Sequence, residues 1–137
     1  MGLPFFGGSK RAKKLILVIE DDFSIASLLK DVLEGFGYAA LTAGDGVEGI
    51  RLALKEKPDL IMTDVMMPKM DGFDTTRNLK SHPETKAIPI LMCTSQDRVT
   101  DVERGLACGA NDYIPKPIAF PRLQEKVLKL IGPPTPQ

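Results

Sequence analysis

Long apolar runs are missing from this chain. None approaches the roughly 18 residues that a membrane-spanning helix requires, so insertion into a bilayer is not expected. Met1 to Gly8 is broken by Pro4 and by glycines where a secretory signal would carry a continuous apolar core. Gly2 invites comparison with a myristoylation site, but that motif needs Ser or Thr at the sixth position, and Phe6 stands there. A cytoplasmic protein is expected. An excess of charge of either sign is also missing: 18 basic and 18 acidic side chains cancel, which leaves no global field to hold nucleic acid or an anionic membrane. Direct nucleic-acid binding is therefore not expected. Cysteine is scarce, with Cys93 in an apolar run and Cys108 before a glycine, a spacing that suits neither a disulfide ladder nor a zinc site. Both are expected as reduced thiols. The single histidine, His82, sits beside Pro83 and reads as a loop residue, not as a metal ligand or phosphodonor.

What remains is the composition of one globular domain: 137 residues, 43% hydrophobic, with 12 glycines and 11 prolines. Residues 1–13 form a basic extension ending in Lys10, Arg11 and Lys13, with Lys14 at the domain's edge; Phe5 and Phe6 ahead of it are weak candidates for docking. The domain itself is expected over 14–131, and the Pro-rich 132–137 is too short to hold another.

Between those limits, short aliphatic runs alternate with helical patterns. Leu15 to Ile19 reads as a strand buried on both faces, followed by Ile25, Leu28, Leu29, Val32, Leu33 and Phe36 at helical spacing and a stop at Gly37. Tyr38 to Thr42 is a second strand, Gly46 to Lys55 a helix with Val47, Ile50 and Leu54 inward, and Asp59 to Thr63 a third strand. A short helix around Phe73 to Leu79 and a strand from Ile88 to Cys93 follow, then a helix from Arg98 to Ala107 carrying Val99, Val102 and Leu106. Tyr113 and Ile114 give a short fifth strand, and Pro121 opens a last helix with Leu123, Val127, Leu130 and Ile131. Five strand–helix units with right-handed crossovers predict a flavodoxin-like three-layer (βα)5 α/β fold, its five-stranded parallel sheet in the order 2-1-3-4-5.

In such a sheet, functional groups collect at the carboxyl edge. Glu20, Asp21 and Asp22 follow the first strand and Asp64 closes the third, so neighbouring strands bring carboxylates together. A lone acid at such a place is most often a helix cap, as Asp22 could be. For Glu20, Asp21 and Asp64 together, like charges call for a hard cation such as Mg²⁺ or Mn²⁺. Thr94 and Ser95 end the fourth strand and Lys116 the fifth, adding hydroxyl and ammonium. That set can neutralise a phosphoryl group and leave Asp64 as an oxygen nucleophile toward phosphorus.

These residues carry a resemblance. Ile16-Leu17-Val18-Ile19-Glu20-Asp21, Asp64-Val65-Met66-Met67-Pro68 with Met70-Asp71-Gly72, Pro89-Ile90-Leu91-Met92-Cys93-Thr94-Ser95, and Gly109-Ala110 through Tyr113-Ile114-Pro115-Lys116-Pro117 make the chain resemble receiver domains of two-component response regulators, of the stand-alone, chemotaxis-regulator-like kind, over Lys14 to Ile131. The resemblance implies that Asp64 is the phosphoacceptor, Asp21 a direct metal ligand, Glu20 a ligand through water and Met66 a ligand through its backbone carbonyl. It implies Lys116 in contact with the phosphoryl group, Thr94 as the switch hydroxyl, Tyr113 as the aromatic that follows it, and a cis Lys116–Pro117 peptide. The implied partners are a histidine kinase or histidine phosphotransfer protein and a downstream protein engaged by the fourth-helix, fifth-strand and fifth-helix face, with the chain a monomer or a phosphorylation-dependent dimer. It implies no enzyme beyond self-phosphorylation and dephosphorylation. Glu20 in place of Asp, Ser95 beside the hydroxyl and Met66 at the mouth of the site are the departures, and none removes a needed group.

Three other readings stand beside it. A phosphorylation-independent interaction module would keep the fold but would be expected to lack one of the five polar groups. A haloacid-dehalogenase-like phosphatase would need an Asp two residues after the nucleophile, where Met66 stands. A flavin-binding flavodoxin would need a Ser, Thr and Gly phosphate loop where this chain has three acids.

Overall fold

The computed structural model describes residues 12–95 and 99–135. Phe5, Phe6, Lys10, Arg11 and Arg98 lie outside the described residues. The elements alternate as β1 (Leu15–Ile19), α1 (Phe23–Gly35), β2 (Ala39–Ala43), α2 (Gly46–Glu56), β3 (Leu60–Asp64), α3 (Gly72–Ser81), β4 (Ile90–Ser95), α4 (Val99–Cys108), β5 (Asp112–Lys116) and α5 (Phe120–Ile131). All five strands pair in parallel, in the order β2-β1-β3-β4-β5. The flavodoxin-like architecture read from the sequence is the one found. Among the described residues no helix is long and apolar enough to cross a membrane.

Alternation along the strands divides the core into two layers. Ile16, Val18, Leu60, Met62, Leu91, Cys93 and Ile114 face α1 and α5, meeting Leu29, Leu33, Leu123 and Val127. Leu17, Ile19, Ile61 and Ile90 face the other way, onto Ala53 of α2 and Leu79 of α3. Aspartates start three of the helices: Asp22 accepts from the Ile25 N–H, Asp45 from Glu48 and Asp71 from Asp74, satisfying donors that a first helical turn leaves free. Gly37, at φ +104°, turns the chain out of α1 as expected.

One expectation fails. Spacing places Val47 inward on α2, but it is 59% exposed, and the inward face is Gly46, Gly49 and Ala53 instead. The helix lies too close to its neighbours for a valine: a Cβ on Gly49 would run into Ile19 Cδ1 of β1, and one on Gly46 into Thr75 Oγ1 of α3. Apolar periodicity locates a helix, but a glycine face against the sheet turns the valine to solvent. α4 repeats the pattern, with Gly105 buried over Met92 Sδ while Val99 and Leu106 are exposed. Strand ends also shift: β4 begins at Ile90, and β5 runs five residues, beyond Tyr113 and Ile114.

Gly72, the first residue of α3, gives a direct test. A Cβ there would collide with the Asp64 carbonyl oxygen and come within 2.9 Å of Val65 Cα, both backbone atoms that cannot swing away. Gly72→Ala is expected to destabilise by about 1–3 kcal/mol. Gly35→Ala, with nothing within 4 Å of the new Cβ, should be neutral or gain up to about 1 kcal/mol from helix propensity. Urea unfolding midpoints of the two variants decide, and equal midpoints would refute the close approach.

Candidate functional site

The register of the sheet explains which groups meet. Ile19 lies opposite Thr63, so the residues that follow, Glu20 and Asp64, emerge together at the carboxyl edge. On the far side Asp64 is opposite Cys93, Thr94 opposite Pro115 and Ser95 opposite Lys116. Glu20 and Asp64 are each only 6% exposed and Thr94 is fully buried, whereas Asp21 is open to solvent. Carboxylate oxygens of Glu20, Asp21 and Asp64 all lie within 4.8 Å of one another. Lys116 reaches in from the end of β5, its Nζ donating to Asp64 Oδ2 at 2.6 Å.

The electrostatics follow from that crowding. Burial, the neighbouring Asp64 charge and a hydrogen bond with Asp21 push the Glu20 carboxyl up to about 7, against the stabilising Asp22 N–H and Lys116. Burial pulls the Lys116 ammonium down, yet its hydrogen bond to Asp64 and the charges of Asp64 and Glu20 outweigh this and raise it. Three carboxylates with one ammonium leave an unbalanced negative pocket, open on the Asp21 side. Hard oxygen donors are what Mg²⁺ takes, with water completing its octahedron. A divalent ion there would reverse the balance that raises Glu20.

The other residues singled out in the sequence surround this pocket. Met66 lies two residues beyond Asp64 in a loop pinned by Val65 N–H to Cys93 O and Gly72 N–H to Val65 O, with its side chain exposed. Asp22 caps α1 instead of joining the cluster. The Lys116–Pro117 peptide is cis. His82 caps the end of α3, with Nε2 3.1 Å from Asn78 Oδ1, and Cys93 and Cys108 are free thiols, Cys93 buried. Tyr113 is half-buried near the start of β5, one residue after Asp112.

Sequence reading passed over Asp112 itself. Its Oδ1 accepts from Lys126 Nζ at 2.9 Å and from the Tyr113 N–H at 2.8 Å, and Lys129 stands 3.8 Å from Oδ2. Burial works against the charge, but these donors hold the carboxyl below its usual range. Fourteen positions separate the pair, so no local pattern announces it.

With this geometry in place, comparison identifies the kind of molecule. The chain belongs to the response regulator receiver domain family, whose sequence model matches residues 16–128. It is 42% identical over 118 residues to the alkaline phosphatase synthesis transcriptional regulatory protein PhoP of Bacillus subtilis (strain 168), a match covering 86% of this chain and 48% of that protein. The chain thus spans about half the length of the curated relatives it matches. A putative response regulator from Chloroflexus aurantiacus J-10-fl aligns with a TM-score of 0.83 at 35% identity, over 86% of this chain and 97% of that one. The receiver domain of a sensor histidine kinase from Pseudomonas aeruginosa PAO1, solved with a magnesium ion coordinated in its active site cleft, gives 0.80 at 29% identity, over 87% and 98%.

The Asp112 pair predicts a pH signature. A carboxyl lowered on folding contributes stability above its unfolded pKa of about 3.9, and that contribution is lost as pH falls through the lower folded value. Asp112→Asn should therefore cost roughly 1–3 kcal/mol at neutral pH, with the gap to wild type narrowing below about pH 4. Urea unfolding at several pH values measures the gap; one independent of pH would refute the assignment.

Proposed function

We propose that the domain is the phosphoacceptor of a two-component phosphorelay: Asp64 takes a phosphoryl group from a phosphohistidine on a histidine kinase or histidine phosphotransfer protein, and the change alters which partner the domain binds. The observation that carries this reading is the buried Asp64 carboxylate, 2.6 Å from the Lys116 ammonium and clustered with two more acids at the sheet edge. Glu20, Asp21, Asp64 and the main-chain carbonyl of Met66 would hold Mg²⁺, or Mn²⁺, a fit supported by the all-oxygen donor set. When bound, the cation neutralises phosphoryl charge.

The chain's own residues do the rest. An Asp64 oxygen forms a bond to phosphorus while the phosphorus–nitrogen bond breaks, and its electron pair stays on the imidazole. Lys116 balances charge gathering on the phosphoryl oxygens, and the Thr94 hydroxyl donates to one of them. The domain thereby promotes its own modification and hydrolysis and turns over no external substrate. Residues 14–131 form the working unit, in the cytoplasm, flanked by the 1–13 extension and the 132–137 tail. Output runs through the α4, β5 and α5 face, with Thr94 drawn toward the phosphoryl group and Tyr113 following. A downstream protein, or a second phosphorylated copy, binds that face; nucleic-acid contact is left to a partner or to another domain.

Incubation with Mg²⁺ and acetyl phosphate, read by intact mass, tests this. One phosphoryl adduct is expected in wild type and none in Asp64→Ala, while Lys116→Met should slow labelling by about 10²-fold or more. Labelling that persists in Asp64→Ala would move the acceptor elsewhere, and no labelling at all would leave a constitutive interaction module. By isothermal titration, Asp21→Ala should weaken Mg²⁺ binding by at least roughly the ten- to hundredfold lost with outer partners of metal sites. Unchanged affinity would exclude Asp21 from the cation site.

A further inference from the structure

We propose that Lys126 of α5 is a positioning residue for Tyr113, holding its ring in the orientation that accompanies a direct Asp64–Lys116 ion pair and so limiting switching in the absence of a phosphoryl group. This rests on the reading of Tyr113 as the aromatic that follows Thr94.

The geometry is a closed three-group contact. Lys126 Nζ lies 5.1 Å from the Tyr113 ring centroid, inside the roughly 6 Å over which an ammonium is attracted to an aromatic face. The same Nζ donates to Asp112 Oδ1 at 2.9 Å, and that oxygen also accepts the main-chain N–H of Tyr113. Lys126 is therefore fixed with respect to the backbone of the residue whose ring it faces. Its side chain is 17% exposed and that of Asp112 12%, so the charge is confined where an exposed lysine would sample solvent. Lys129, 74% exposed and 3.8 Å from Asp112 Oδ2, supplies a weaker second charge that cannot replace it.

A ring that moves when Thr94 moves must exchange one set of contacts for another. The Lys126 contact belongs to the set present while Lys116 pairs directly with Asp64. Removing it depopulates that orientation and leaves the phosphorylation chemistry untouched, because Lys126 has no contact with Asp64, Thr94 or Lys116 among the interactions described. An attraction of this kind corresponds to a roughly two- to fivefold change in the balance of the two orientations.

The chain offers a clean reporter: it has no tryptophan and two tyrosines. Tyr38 is buried with its hydroxyl donating to Gly132 O at 2.8 Å and serves as an internal reference. In ring-labelled tyrosine NMR, the Tyr113 signal of wild type without and with Mg²⁺ and acetyl phosphate defines the two ends of the scale. Unphosphorylated Lys126→Met should lie displaced toward the phosphorylated end by that two- to fivefold change in population, and Lys126→Arg should return to the wild-type position. Because Lys126→Met leaves a buried carboxylate short of a partner, Lys126→Met with Asp112→Asn is measured beside it and should show the same displacement in a chain freed of that burden. If wild-type Tyr113 shifts on phosphorylation but both Met variants stay at the wild-type position, the Lys126 inference falls alone. If wild-type Tyr113 does not shift although the mass shows Asp64 labelled, the switch reading falls and takes this inference with it.

Discussion

The structure depends on one constraint: three carboxylates converge at a single point because two neighbouring parallel strands end together. Register leaves no freedom here, since Ile19 opposite Thr63 delivers Glu20 and Asp64 to the same edge. A one-residue slip would exchange the β1 side chains packed toward α1 and α5 for those packed toward α2 and α3, breaking the fit of both layers. The core thus holds the acids against their own repulsion, and the groups around them make the arrangement tolerable. Lys116 faces Asp64, the Asp22 N–H caps Glu20, and the Asp21 side is left open to solvent. Repulsion kept in place by packing is what makes such a site responsive to a cation or a phosphoryl group.

Glycine sets the distance of the flanking helices from that edge. Gly46, Gly49, Gly72 and Gly105 all meet atoms closer than a Cβ would allow. On the α3 side this puts a helix start directly on the Asp64 backbone, fixing the end of β3. On the α4 side it has another effect: Gly105 is the one buried residue of that helix, and Val99 and Leu106 face solvent. A helix attached through so little apolar surface costs little to displace, and its exposed apolar residues are available to a partner. The same residue type serves rigidity at one helix and release at another.

Much of this was legible in the sequence. Strand and helix alternation and the polar residues at strand ends follow from periodicity and from where polar residues interrupt aliphatic runs, while strand order, and with it the gathering of acids, hydroxyl and ammonium, comes with the flavodoxin-like fold that the alternation suggests. Helix orientation was less legible. Val47 suits an inward apolar stripe on spacing alone, and only the contact of Gly49 with Ile19 shows why the stripe lies elsewhere. Long-range polar pairs away from that edge were not legible. Lys80 Nζ bonds the carbonyls of Lys86 and Ile88 and the Asn111 side chain, tying α3 to the entry of β4 and β5. Nothing in the residues near Lys80 marks it apart from a surface lysine, because its partners exist only once the sheet has formed.

The edge strand β5 joins the carboxylate cluster to α5. Its last residue, Lys116, binds the Asp64 carboxylate, and its first two, Asp112 and Tyr113, are held by α5 through Lys126. Among the described residues only β4 pairs with it, so no described strand lies on its outer side to resist a small displacement. A phosphoryl group on Asp64 would have to open or re-form the Lys116 contact, and five residues of extended chain join that event to the ring. Under the phosphorylation proposed above, the Lys116 ion pair and the Lys126 contact are the two interactions on β5 that would have to change together. Coupling between site and surface would then need no long pathway through the core, because one short strand carries an ammonium contact at each end.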